Sequence, residues 1–217
     1  MHVSATQDII KRGRGRPRNP DKQASLIVAA HRLLLANGAA GVTVDQLAAE
    51  AKVAKTTLYL YFKDKDAIIE AAVREESRRL LADDWLAQHA GMSFEETLAD
   101  IGRQLITNQV TAEGLGFRRL VAELADRHPH LRDRMFDAAA RRIHRILSAV
   151  LTRAYDEGHI DAPDISDATD ALIGLWGGFF IFEAEAGLRE VSADEVERHA
   201  HRGVRLFMRL FGKSQPA

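Results

Sequence analysis

Residues 43–68 read TVDQLAAEAKVAKTTLYLYFKDKDAI, and this stretch decides the fold. Thr43-Val44-Asp45-Gln46 is a capping-box signature: the threonine hydroxyl accepts from the third helical amide while Gln46 reaches back to the cap. Val44, Leu47, Ala48 and Ala51 then recur at helical spacing and give the short helix one apolar face. After a tight turn at Lys52-Val53-Ala54, a third helix spans Lys55 to Tyr61. Asp64 caps a fourth, carrying Ile68, Ile69, Ala72 and Val73. Leu58 and Phe62 lie four apart and anchor the third helix. Lys55, Thr56, Thr57, Tyr59, Leu60 and Tyr61 are left around its outer faces and ends. Two short helices across a tight turn, the second rich in Lys, Thr and Tyr, suit a helix-turn-helix that offers donors to phosphates and base edges. Spacing alone does not separate this from a solvated helical hairpin.

Upstream, a first helix runs from about Asp21 to Asn37 and stops at Asn37-Gly38. Residues 1–20 are rich in Gly, Pro and Arg without apolar periodicity, the mark of a flexible basic arm. Downstream, Ser93-Phe94-Glu95-Glu96 and Ser192-Ala193-Asp194-Glu195 repeat the capping-box pattern. Between them lie helical stretches near 115–126, from about 130 to 157, and from Asp164 or Ser166 to near Gly187. The expected fold is all-α with about nine helices. A three-helix domain carrying the helix-turn-helix (21–66) would follow the arm (1–20) and precede a larger helical domain (67–217).

The 217 residues carry a net charge of −1, which conceals an asymmetry. Residues 1–65 hold eleven Lys or Arg against five Asp or Glu, leaving an acidic remainder. A basic third joined to an acidic two thirds fits a polyanion-binding module with a second function attached. The absence of cysteine excludes disulfides, thiolate metal sites and a cysteine nucleophile. The longest apolar run, 171–182, is well short of the roughly 20 residues of a membrane-spanning helix. The basic N-terminus has no apolar stretch behind it, so no secretory signal is read and a cytoplasmic protein is expected.

The T-x-x-x-L-A-x-x-A core beginning at Thr43, the Thr57–Phe62 segment TLYLYF and Lys63-Asp64-Lys65 together resemble the DNA-binding signature of the tetracycline-repressor (TetR) family. The resemblance covers about residues 22–70. It implies phosphate contacts from Thr43 at a helix N-terminus, from Tyr61 and from Lys65. It also implies base or phosphate contacts from Lys55, Thr56, Thr57 and Tyr59. Leu60 stands where the family often has His, Lys52 where it often has Gly, and Ala54 where a capping Ser is frequent. Gly13-Arg14-Gly15-Arg16-Pro17 resembles an AT-hook core, in which Arg14 and Arg16 would lie in a narrow A·T minor groove.

The segment 117–131 is similar to AefR-like C-terminal domains of the same family. The resemblance implies a homodimer on a palindromic operator, repression, and release by a small-molecule effector held among the middle helices. Leu105, Phe117, Leu120, Met135, Phe136 and Trp176 are the candidate lining residues, which suggests an apolar or aromatic effector. Gly178, Phe179, Phe182, Val204, Phe207 and Phe211 are the candidate dimer contacts. An architectural DNA-binding dimer without an effector is the alternative.

No enzyme is expected, because the motifs of hydrolases and nucleotide folds are missing. No metal or cofactor is called for either. His128 and His130 flank a proline, and His199 and His201 sit two apart on a helix, pointing to different faces.

Overall fold

The computed structural model describes residues 19–38, 41–82, 85, 91–127, 129 and 132–213. Among these, the chain is all-α, and its one β feature is an isolated antiparallel bridge between Ile160 and Gly212. The helices are α1 (Pro20–Asn37), α2 (Val44–Glu50), α3 (Lys55–Tyr61), α4 (Lys65–Leu80), α5 (Phe94–Val110) and α6 (Ala112–Arg127), followed by α7 (Arg132–Ala138), α8 (Ala140–Asp156), α9 (Ile165–Trp176), α10 (Phe179–Glu185) and α11 (Ala193–Phe211).

Local chemistry sets most of the boundaries. The Asn19 side chain accepts from Asp21 N–H ahead of Pro20, and Gly38 closes α1 at φ 65°, a left-handed turn that suits glycine. The capping boxes at Thr43, Ser93 and Ser192 all form, each with both hydrogen bonds. Asp164 rather than Ser166 caps α9.

Two of the expected helices are each divided in two. The 130–157 stretch breaks at Ala139, whose φ −112° and ψ −90° lie outside the helical region. Met135 and Ala138 before the break join a core built on α1–α4, whereas Leu147, Leu151 and Ala154 after it join a core built on α5 and α9–α11. Serving two cores bends the chain there without a Pro or Gly. The apolar run 171–182 breaks at Gly177-Gly178, where α9 and α10 meet at 58°. No single helix among the described residues is long and apolar enough to cross a membrane.

The α1–α4 core also takes in Phe117, Leu120 and Leu124 of α6, so its packing continues well past residue 66. In the second core, Trp176 is fully enclosed. Its indole lies so close to Gly102 of α5 and Gly203 of α11 that a Cβ at either position would fall 2.5 and 2.4 Å from ring atoms. Its Nε1–H donates to the Ala200 carbonyl at 3.2 Å.

Candidate functional site

In the helix-turn-helix, Leu58 and Phe62 are buried and hold α3 against the α1–α4 core. Lys55, Thr56, Tyr59 and Leu60 are exposed, with Leu60 at 64% the most open of the large apolar groups there, and Thr57 is half-buried. The turn before α3 is made by Lys52 in the left-handed region at φ 55° and by Val53 N–H donating to the Ala48 carbonyl at 2.9 Å. Ala54 occupies the N-cap of α3 and supplies no side-chain acceptor to its first turn.

Several of the candidate DNA contacts are already engaged within the chain. Lys55 Nζ pairs with Asp45 of α2 at 2.9 Å across an exposed surface. The hydrogen bond and charge of Asp45 hold the Lys55 ammonium above its ordinary pKa, so it is fully charged at neutral pH. Tyr61 is half-buried, and its hydroxyl accepts from Asn19 N–H at 2.9 Å, tying the start of α1 to the end of α3. Lys65 Nζ donates to the Val42 carbonyl at 3.1 Å and holds the loop that leads into α2. Each keeps spare donors, since an ammonium has three and a phenol one. Thr43 is exposed at the N-terminus of α2, where orphan amides and the helix dipole favour an anion. Arg14 and Arg16, with the rest of the arm through residue 18, lie outside the described residues, as do His128 and His130.

Beneath this module lies a cavity of about 550 Å³ walled by α4–α8 and Ile173 of α9. Leu105, Phe117, Met135 and Phe136 of the candidate lining residues border it. Leu120, packed in the α1–α4 core, and Trp176, whose indole lies against Gly102 and Gly203, are not part of its wall. A larger cleft of about 780 Å³ opens beside α4, but its walls are dominated by Arg74, Arg134, Arg142 and Arg145. Arg74 and Arg134 pair with Glu70, Arg145 with Asp137, and Arg142 donates to the Ser77 and Leu81 carbonyls. It is therefore a paired, polar surface, and the 550 Å³ cavity is the one suited to an apolar molecule.

Sequence reasoning missed the polar groups that tie this cavity to the rest of the chain. Two cavity-lining residues reach α1: Phe117 stacks on His31 with ring centroids 5.7 Å apart, and Glu76 Oε2 lies 2.9 Å from His31 Nε2. That contact keeps the Glu76 carboxyl below its ordinary pKa, against the opposing effect of burial. The next residue along α6, Arg118, also lines the cavity and reaches the other way, to the Glu185 carboxylate of α10. Arg119 adds a bond to the Glu185 carbonyl at 2.9 Å. None of these links has a local motif, since the partners lie tens of residues apart in sequence. His31, Glu76 and Glu113 present ligand atoms within 4.8 Å of one another and could hold a metal ion, with His31 Nε2 and Glu76 Oε2 lying 2.9 Å apart.

The candidate dimer residues divide. Gly178, Phe179 and Phe182 are exposed, the two phenylalanines at 76% and 65%, and Phe211 is half-buried. Val204 and Phe207 instead point into the core of their own chain at 3% and 0% exposure, which corrects the expectation that they face a partner. The stripe they form on α11 is apolar because it packs on α5 and α9.

Comparison with known proteins agrees with this architecture. Residues 26–72 match the family described as bacterial regulatory proteins, tetR family, and residues 96–213 match the AefR-like transcriptional repressor, C-terminal domain. An uncharacterized HTH-type transcriptional regulator of Mycobacterium bovis is 27% identical over 186 residues, covering 84% of this chain and 87% of its own. The HTH-type transcriptional regulator EthR of Mycolicibacterium smegmatis is 37% identical over 69 residues, 31% of this chain and 32% of its own. Among solved structures, a TetR-family transcriptional regulator from Mesorhizobium loti superposes with a TM-score of 0.76 at 25% identity, over 91% of this chain and all of that one. The flavonoid-responsive regulator FrrA shares the fold, with a TM-score of 0.72 at 24% identity over 91% and 100% of the two chains. With its N-terminal module and the larger part of its length both matched, the chain belongs to the TetR family of DNA-binding transcriptional regulators, which are not enzymes.

Proposed function

We propose that the chain is a cytoplasmic, homodimeric repressor that leaves a palindromic operator when a small apolar or aromatic effector fills the 550 Å³ cavity. The observation that carries this reading is that Phe117 and Glu76, both on the cavity wall, touch His31 of α1. An occupant that displaces either one displaces the helix on which the DNA-binding module is built.

The α3 helix of each protomer enters a major groove, with Lys55, Thr56, Thr57, Tyr59 and Leu60 at bases or nearby phosphates. Thr43, Tyr61 and Lys65 grip the flanking phosphates. Arg14 and Arg16 of the arm lie in the adjacent minor groove and favour A·T flanks. The arm is 1–20, the DNA-binding domain 21–66 and the effector and dimer domain 67–217. Dimerisation buries Gly178, Phe179, Phe182 and the edge of Phe211, and the exposure of the two phenylalanines supports this surface. The effector and the operator then oppose each other reciprocally, with a typical coupling of about 1–3 kcal/mol, or roughly 5–150-fold in affinity.

The test begins with selection of bound duplexes from a random pool by the full-length protein. A palindromic consensus with A·T-rich flanks is expected, with the flank preference lost on deletion of residues 1–17. Recovery of no consensus, or of one that is unchanged when Thr56 and Tyr59 are both replaced by Ala, refutes the reading.

A further inference from the structure

His31 of α1, Glu76 of α4 and Glu113 of α6 come together from three helices, with one ligand atom of each within 4.8 Å of the others. His31 is buried, at 9% exposure, and Phe117 stacks against its ring. Its Nε2 stands 2.9 Å from Glu76 Oε2, yet the two are not aligned for a hydrogen bond, and neither atom has a hydrogen-bond partner among the described residues. A buried nitrogen and oxygen left in that condition are uncommon and costly. A carboxylate in the first turn of α6 is ordinary in itself, because the helix dipole favours it. A second carboxylate within 4.8 Å is not, since the two repel unless a cation lies between them.

Neither Nε2 nor Oε2 is open to water, which excludes an organic ligand at hydrogen-bond distance but not a bare metal ion. Bonds from zinc to imidazole nitrogen and carboxylate oxygen run about 2.0–2.2 Å, against about 2.7–3.2 Å for a hydrogen bond. Tetrahedral ligands at those lengths lie about 3.3–3.6 Å apart. His31 and Glu76 therefore need to part by only about half an ångström, while the exposed Glu113 side chain closes in. Glu76 and Glu113 both line a hollow of about 270 Å³, which gives an ion a way in and room for a water in the fourth position. Arg79 Nη1 stands 3.7 Å from the same Glu76 oxygen, but its side chain is half exposed and free to turn to solvent.

We infer that His31, Glu76 and Glu113 bind a first-row divalent transition ion of the zinc type. Two carboxylates balance its charge, and the imidazole favours it over Mg²⁺, which takes oxygen ligands and keeps its waters. The bound ion clamps α1, at the base of the helix-turn-helix, to α4 and α6. The inference stands whether or not the 550 Å³ cavity takes an effector.

The test uses the full-length protein freed of metal with EDTA and dialysed. Zn²⁺ and Mg²⁺ are titrated calorimetrically, Co²⁺ is followed by its visible absorption, and melting is recorded with and without Zn²⁺. Saturable binding of one Zn²⁺ per chain is expected, with a raised melting temperature and a Co²⁺ band that Zn²⁺ displaces. His31→Gln and Glu113→Gln should each weaken Zn²⁺ binding at least about 100-fold, since loss of a mere outer-sphere partner already costs about 10–100-fold. Both should also abolish the Zn²⁺-dependent rise in melting temperature. Glu113 is exposed, so Glu113→Gln keeps the test valid even if His31→Gln fails to fold. No saturable Zn²⁺ binding by the wild type overturns the inference. Zn²⁺ affinity and stabilisation left unchanged by Glu113→Gln, or Mg²⁺ binding as tight as Zn²⁺, overturns it as well.

Discussion

Replacing Asp45 by Asn separates the two partners that Lys55 can have. In the free protein Lys55 Nζ pairs with Asp45 at 2.9 Å, with both side chains more than half exposed. Such a pair contributes little to folding, so the variant stays folded with only a small loss from the first turn of α2. On DNA the consequences are larger. The tip formed by Asp45 and Lys55 is neutral in the wild type and carries a full positive charge in the variant. If Lys55 faces a phosphate, the slope of log affinity against log salt steepens by about 0.9, the value for one added phosphate neutralisation. Raising salt fourfold then costs the variant an extra factor of about three in affinity relative to wild type. At low salt the variant binds its selected operator a few-fold more tightly, and the advantage shrinks as salt rises. Fluorescence anisotropy on a labelled operator duplex measures both quantities. The pairing argument is wrong if the slope does not change. It also fails if Asp45→Asn tightens binding equally in a Lys55→Met background, since the gain then comes from removing the carboxylate and not from releasing the lysine.

Three further outcomes follow from the packing. Ala54→Ser supplies the missing acceptor at the N-cap of α3, where φ −69° and ψ 148° already suit a capping residue. It should raise stability by about 0.5–2 kcal/mol in urea denaturation, and no gain would mean that another group satisfies those amides. Gly203→Ala drives a Cβ to 2.4 Å from the Trp176 ring, which is fully buried and is also approached closely by Gly102. A loss of about 1–3 kcal/mol is expected despite the better helix propensity of Ala, and an equally stable variant would refute this packing. The lowered pKa of Glu76 gives a stability contribution that is complete above the ordinary glutamate pKa and fades as pH falls through the depressed value. Glu76→Gln should therefore flatten the acid limb of the stability–pH curve, whereas parallel curves for variant and wild type would discount the His31 contact.

Where an element is encoded locally, the sequence was readable. The boxes at Thr43, Ser93 and Ser192 announce their helices through side-chain chemistry within four residues, and Leu58 and Phe62 mark the buried face of α3 by spacing alone. The break at Ala139 was hidden because Ala-rich sequence has no breaker, and the bend comes from the demands of two cores. Val204 and Phe207 show the same limit from the other side: an apolar stripe on α11 looks the same in sequence whether it meets its own core or a partner's. Trp176 fits a cavity wall by composition, and only the approach of Gly102 and Gly203 reveals it as core. Links such as His31–Glu76 and Arg118–Glu185 depend on tertiary distance and leave no periodic trace.

Phe117 and Arg118 are consecutive on α6, yet one leans on α1 and the other grips α10. Those two neighbours are a shared bottleneck, because altering either one to reshape the cavity also disturbs what it holds at the far end. Phe136 and Ile143 border the same space from the opposite bank without such ties to α1 or α10 among the described contacts. If the cavity holds an inducer as proposed, retuning of its preference, by natural drift or by directed evolution, has its freest ground on α7 and α8.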